Sequence, residues 1–115
     1  MGMISDKTTT VDQLRQLLMD FSRGRNWHKR RNPQQLAKSL IIESAELLQE
    51  YQWMNDRSAQ SSLKDIIKKK KIVYELVDVL YYLITLFDVY DVDITKSTQK
   101  KLQELEFRYP KVNKK

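Results

Sequence analysis

The chain has 115 residues, 21 Lys and Arg against 15 Asp and Glu, and no cysteine. Its length bounds it to one domain, 1–115, with a core over about 10–110 that stays modest unless partners add to it. Without cysteine there is no disulfide framework and no thiolate zinc site, and the lone His28 cannot build a histidine centre, so any bound metal must take oxygen ligands.

Two Gly and two Pro, among many Leu, Lys, Gln, Glu and Ile, favour helices over a sheet. No apolar run like a signal peptide opens the sequence. The longest mostly apolar stretch, Leu76 to Phe87, is too short to span a bilayer and contains Asp78. The expectation is a soluble, cytoplasmic protein with no membrane partner. A net charge of +6 suits an anionic ligand, nucleotide or nucleic acid, although a merely solvated basic surface has the same charge.

Residues 1–8 read as a loose leader. The first helix is expected from Val11 to Phe21, with Thr10 and Gln13 spaced as a capping box and Leu14, Leu17, Leu18 and Phe21 on one face. A basic connection follows, with Arg23, Arg25, Lys29, Arg30 and Arg31. Asn32-Pro33-Gln34-Gln35 opens the second helix, expected to reach Met54. Asn55 to Ser61 reads as a polar loop. Ser62 and Asp65 resemble a capping box for a third helix ending near Val89. Asp93 caps a fourth, to Arg108, before Tyr109-Pro110 and a frayed basic tail. From Leu76 to Tyr90 apolar residues point all round the axis, which predicts burial on every side. Three other helices barely suffice for that, so a second subunit is expected to cover part of it.

Glu43 and Glu46 are three apart on the second helix, and Glu75 and Asp78 are three apart on the third. Residues at i and i+3 share a helix face, so each pair projects two carboxylates in one direction. Both pairs sit at or among apolar positions. With the two helices packed antiparallel, as a short connection favours, the pairs come level and four carboxylates face one space. Such a cluster is repulsive until protons neutralise it or divalent cations bridge it. The alternative is four solvated acids paired with Lys or Arg. Tyr82 shares the face of Glu75 and Asp78. Lys71, one turn before Glu75, can pair with the acids or meet a phosphate.

In this pattern the chain resembles the MazG-like all-α nucleoside triphosphate pyrophosphatases, in particular a dCTP pyrophosphatase-like subgroup. The resemblance runs through Arg25-Asn26-Trp27, Asn32-Pro33, Leu36-Ala37, Glu43-Ser44-Ala45-Glu46-Leu47-Leu48, Tyr51-Gln52-Trp53, Glu75-Leu76-Val77-Asp78-Val79-Leu80, Tyr82, Lys101 and Arg108-Tyr109-Pro110. It implies a four-helix bundle completed by oligomerisation, as a dimer or tetramer. It also implies hydrolysis of NTP to NMP and pyrophosphate with Mg²⁺, or Mn²⁺ in its place, as nucleotide-pool house-cleaning. Glu43, Glu46, Glu75 and Asp78 would be the metal ligands and catalytic acids. Trp27, Trp53 and Tyr82 would frame the base or sugar, and Lys101, Arg108 and Tyr109 would approach the phosphates across a subunit boundary.

Departures from the pattern are Arg31 where relatives often have His, and Gln35 where they have Asn. Gln49 replaces an acid, with Glu50 beside it, and Leu105 stands where Asn is usual. The first two fall in the loop expected to face the base, so Arg31 joins the substrate-binding candidates and the preferred base stays open. Two rival readings remain. A phosphoribosyl-ATP pyrophosphohydrolase fits the flanking tryptophans poorly. A small basic helical nucleic-acid-binding or adaptor protein uses the charge but leaves the four acids unexplained.

Overall fold

Side-chain caps set where the helices begin. The structure, a computed structural model, describes residues 4–29 and 31–112. Arg30 of the basic connection, and residues 1–3 and 113–115 of the expected leader and tail, lie outside the described residues. Helix α1 (Val11–Arg23) opens with the reciprocal box: Gln13 N–H donates to the Thr10 hydroxyl at 3.1 Å, and Thr10 N–H donates to the Gln13 side chain at 2.8 Å. A 3₁₀ turn follows at Trp27–Lys29. Helix α2 (Pro33–Gln49) starts with Asn32 accepting the Gln35 N–H at 3.1 Å and Pro33 in the first turn.

Two boundaries differ from the sequence expectation. Helix α2 stops at Gln49 rather than near Met54. The N–H groups of Glu50, Tyr51 and Gln52 turn to carbonyls three residues back, at 3.2, 3.0 and 3.3 Å, so the chain leaves the helix in tight turns. The stretch expected as a polar loop then holds a short helix, α3 (Asp56–Ser61). Its box is built by Asn55 and Ser58, each bonding the other's backbone N–H at 2.9 Å. Helix α4 (Ile66–Val89) is capped by Asp65, which accepts the Lys68 N–H at 3.0 Å. Ser62, expected in that role, is buried and donates to the Ala59 carbonyl at 2.6 Å. Helix α5 (Ile94–Arg108) has the Asp93 cap and ends at Tyr109, before Pro110. The described residues thus form five helices and no strand, the fifth being the short α3.

Helix α4 is the centre, packed along α2 and also on α1. The α2–α4 pairing is antiparallel. Ser39 lies beside Tyr82, Glu43 beside Asp78, and Glu46 beside Glu75, so sequence numbers rise on one helix as they fall on the other. The core of this unit is Met19, Leu36, Ile72 and Ile84. At its far end Asp88 of α4 lies between Arg31, at 2.6 Å, and Arg15 of α1, at 4.0 Å. Arg15 also donates to the Val92 carbonyl at 2.6 Å. These contacts tie α1, the loop before α2 and the end of α4 together. No residue of α5 is buried. No described helix is long and apolar enough to cross a membrane.

The single chain is open. Its radius of gyration is 17.3 Å, against about 13 Å for a compact domain of this length. Its accessible surface is 10149 Å², against about 6,600 Å² for a monomer of this mass. The uncovered surface includes Ile41, Leu48, Ile66, Ile67, Tyr74 and Leu76 on α2 and α4, with Trp53 at 91% and Phe107 at 90% exposure.

Ile84, 4% exposed, anchors the core from α4. Ile84→Ala is expected to cost about 2–5 kcal/mol, the range for emptying a packed aliphatic site, read as a lowered denaturant midpoint. A loss under about 0.5 kcal/mol, typical of surface substitutions, would place Ile84 outside the core.

Candidate functional site

The antiparallel register brings the two acid pairs together. Carboxylate oxygens of Glu43, Glu75 and Asp78 all lie within 4.8 Å of one another. Glu46 stands outside that trio but adds its charge to both Glu43 and Glu75. Glu43 and Glu75 are half-buried, whereas Glu46 and Asp78 are exposed. Among the described residues none of the four is in an ion pair, since the recorded pairs use Asp20, Asp88 and Glu104. The alternative expectation, solvated acids matched to Lys or Arg, does not describe them. Lys71, the nearest sequence candidate for such a partner, is exposed and in no ion pair.

Desolvation raises the pKa of Glu43 above the ordinary glutamate value of 4.5, aided by the Glu46 hydrogen bond and the charges of Glu46, Asp78 and Glu75. Desolvation likewise raises Glu75, with repulsion from Glu46, Asp78 and Glu50. Glu50 therefore contributes charge beside the position where Gln49 lacks it. One oxygen of Glu75, Oε2, is buried with no hydrogen-bond partner. A buried carboxylate oxygen without a donor carries an unrecovered desolvation cost. An all-oxygen donor set, repelling itself and holding one orphaned atom, fits a hard divalent cation.

One helical turn along the same seam the acids give way to a cavity of about 360 Å³. Four segments wall it. Met19 and Ser22 come from α1, Trp27 and His28 from the 3₁₀ turn, and Leu36 and Ser39 from α2, while Tyr81, Tyr82 and Thr85 come from α4; Arg31 and Gln35 also line it. Asn26, at φ 60°, makes the left-handed turn that directs the chain from α1 into the 3₁₀ turn, a conformation asparagine tolerates better than most residues. Trp27 then packs edge-on against Phe21 at 5.7 Å and Tyr81 at 6.2 Å. Tyr82 meets Tyr81 edge-on at 5.1 Å. The Tyr82 hydroxyl is pushed above its usual pKa by desolvation and then by Glu43, with Tyr81 and Asp78 adding to the rise and a hydrogen bond from Ser39 partly countering it. Tyr82 therefore joins the cavity to the acids.

Of the sequence candidates, Glu43, Glu46, Glu75, Asp78, Trp27, Arg31 and Tyr82 gather along this seam. Four others do not. Trp53 follows the end of α2 and borders a separate surface hollow with Asp65 and Lys68. Lys101 and Arg108 both pair with Glu104 on α5, at 3.1 and 3.4 Å, and Tyr109 is exposed beside Arg108. The sequence reading missed Ser22 and Tyr81, whose hydroxyls are hydrogen-bonded across 59 residues. Its available signal was a serine one turn after Leu18 on the apolar face of α1. Ser22 also donates to the Leu18 carbonyl at 3.2 Å.

The raised carboxyls fix a sign. Between 4.5 and the raised values the folded state holds more protons at Glu43 and Glu75 than the unfolded state does. Their contribution is thus fully present at low pH and is lost as pH rises through the folded values. In chelator, the melting temperature is expected to fall over that interval, and Glu75→Gln to flatten the fall. A variant melting curve that falls with pH as steeply as the parent's would show that Glu75 is not under repulsive load.

No family model matches the chain. It is 29% identical over 101 residues to dCTP pyrophosphatase 1 of Rattus norvegicus and, again at 29%, to that of Homo sapiens; each match covers 88% of this chain. The chain spans 59% of the length of these curated relatives. A solved pyrophosphatase from Archaeoglobus fulgidus is 30% identical and superposes with a TM-score of 0.77, over 96% of this chain and 99% of that one. With helices, acids and cavity arranged as described, and a structural relative matched nearly end to end, the chain belongs to the MazG-like all-α pyrophosphatase family.

Proposed function

We propose that the protein is a Mg²⁺-dependent nucleoside triphosphate pyrophosphohydrolase, converting a (d)NTP and water to the (d)NMP and pyrophosphate as nucleotide-pool house-cleaning. The observation that carries this reading is the seam itself. Four acids without a counter-ion lie about one helical turn, roughly 6 Å, from an aromatic-walled cavity, and Tyr82 belongs to both. A base in the cavity would leave its phosphates directed at the acids.

Glu43, Glu75 and Asp78 would hold Mg²⁺, or Mn²⁺ in its place, with Glu46 as the fourth ligand or the base. A bound divalent ion supplies charge neutralisation at the phosphates and a more acidic water. The rest falls to the side chains. Trp27 offers a face for the base, and base–aromatic stacking is worth about 1–3 kcal/mol. Tyr82 closes the boundary between base and phosphates. Glu46, outside the trio, would take the proton of the attacking water.

The homo-oligomer belongs to the same reading. Each chain exposes about 3,500 Å² beyond the monomer norm, more than one partner contributes to a typical obligate interface, and the exposed apolar residues include Ile41, Leu48, Ile66, Ile67, Tyr74 and Leu76 on α2 and α4. In such an assembly Lys101, Arg108 and Tyr109 would reach phosphates, and Trp53 a base, on another copy. Sedimentation at micromolar concentration is expected to give a dimer or tetramer; a folded monomer would overturn this part.

The enzymatic test identifies products from each (d)NTP with Mg²⁺. Monophosphate plus pyrophosphate is expected, and diphosphate plus phosphate would refute the reaction. Glu75→Gln is expected to remain folded and to lose turnover by at least about 100-fold, or about 2.7 kcal/mol. Mg²⁺ should raise the melting temperature of the parent and do so much less for the variant. Parental turnover in Glu75→Gln, or a parent indifferent to Mg²⁺, would end the metal-site reading.

A further inference from the structure

The cavity beside the acids has an unbalanced polar lining. Arg31 is its one charged side chain, and no carboxylate lines it among the described residues. A guanidinium offers donors and no acceptor. It is also anchored, because its Nη2 donates to Asp88 Oδ2 at 2.6 Å and Asp88 is held from the other side by Arg15. Asp88 itself is not part of the lining. The remaining Arg31 N–H groups have no other partner among the described residues. The Gln35 amide and the Ser39 and Tyr81 hydroxyls can each donate or accept, so they adapt to a ligand. Arg31 cannot.

We propose that Arg31, braced by Asp88, makes this site select nucleotides with a carbonyl oxygen at pyrimidine position 4 or purine position 6, uracil, thymine or guanine, over those with an exocyclic amino group there, cytosine or adenine. The inference rests on the pyrophosphohydrolase reading and deepens it. The physical reason is donor against donor. An amino group facing the guanidinium leaves N–H groups of both partners unpaired in a part-buried site, and that cost exceeds the gain from a matched pair. Bracing matters because a free arginine would swing into solvent and leave the base undiscriminated. Uracil and cytosine test this cleanly, since they share size and ring and differ at the position-4 carbonyl or amino group and the adjacent nitrogen.

The experiment measures kcat/KM for dUTP against dCTP, and for dGTP against dATP, with Mg²⁺. Alongside it, calorimetric titration with the α,β-imido analogues of dUTP and dCTP reads binding without turnover. The parent is expected to favour the carbonyl member of each pair by about tenfold or more, within the discrimination one well-placed polar pair gives. Arg31→Gln presents an amide that can donate or accept. It should bring both ratios to within about twofold of one, with the change carried by KM and by the analogue affinities. Arg31→Lys retains the charge and a contact to Asp88, and should fall between. A parent that hydrolyses all four nucleotides without preference, or Arg31 variants that retain the parental ratios, would overturn the selectivity while leaving the enzyme reading intact. A parent that hydrolyses none of them with Mg²⁺ would remove both.

Discussion

Repulsion among the carboxylates on the α2–α4 seam is the constraint around which the structure is organised. Among the described residues no Lys or Arg pairs with Glu43, Glu46, Glu75 or Asp78. Twenty-one basic residues are available, yet those in recorded ion pairs serve Asp20, Asp88 and Glu104. A protein selected for stability alone would cross these acids with lysines. Here the register instead sets acid beside acid, and the half-burial of Glu43 and Glu75 strengthens their repulsion by lowering the local dielectric. The bundle tolerates the load because the same two helices bury Leu36, Ile72 and Ile84 along their seam.

The adjoining cavity obeys a different logic. Its walls are aromatic and hydroxylic; three hydroxyls are bonded within the chain, while His28 Nδ1 is buried without a partner. Ser22 bonds Tyr81 and Leu18, and Thr85 donates to the Tyr81 carbonyl at 2.7 Å. Arg31 is held at the edge of this region by an acid outside it. One end of the seam is therefore acidic and the other aromatic, with Tyr82 between them.

The sequence was legible where information is local. Thr10 with Gln13, Asn32 with Pro33, and Asp93 marked helix starts because a cap spans only three or four residues. The acid pairs were legible because i, i+3 spacing fixes a face, and the short connection between their helices implied the antiparallel pairing that levels them. The start of α3 was missed because its reciprocal box uses Ser58 in place of the usual Glu or Gln. The end of α2 was missed because no glycine or proline stops it; it tightens into turns instead. Tyr81 and Ser22 were missed because their meaning lies in a contact between α4 and α1 that no spacing rule encodes. Trp53, Lys101, Arg108 and Tyr109 were singled out through family resemblance, and their places in the single chain follow from where α2 ends and α5 projects.

The two halves of the seam draw on different amounts of the chain. The acids come from two helices in one register, so changing any of them disturbs a shared electrostatic balance. The cavity draws on four segments, one of them the short 3₁₀ turn introduced by the left-handed Asn26. Substitutions in that turn, at the loop residue Arg31, or at Gln35 in the first turn of α2 would reshape the pocket without altering the α2–α4 register. On the proposed function, single substitutions in that turn would alter which ring the pocket accepts while leaving the acids in register. The architecture would then work as a fixed chemical engine beside an interchangeable reading head, with nucleotide choice adjustable one residue at a time.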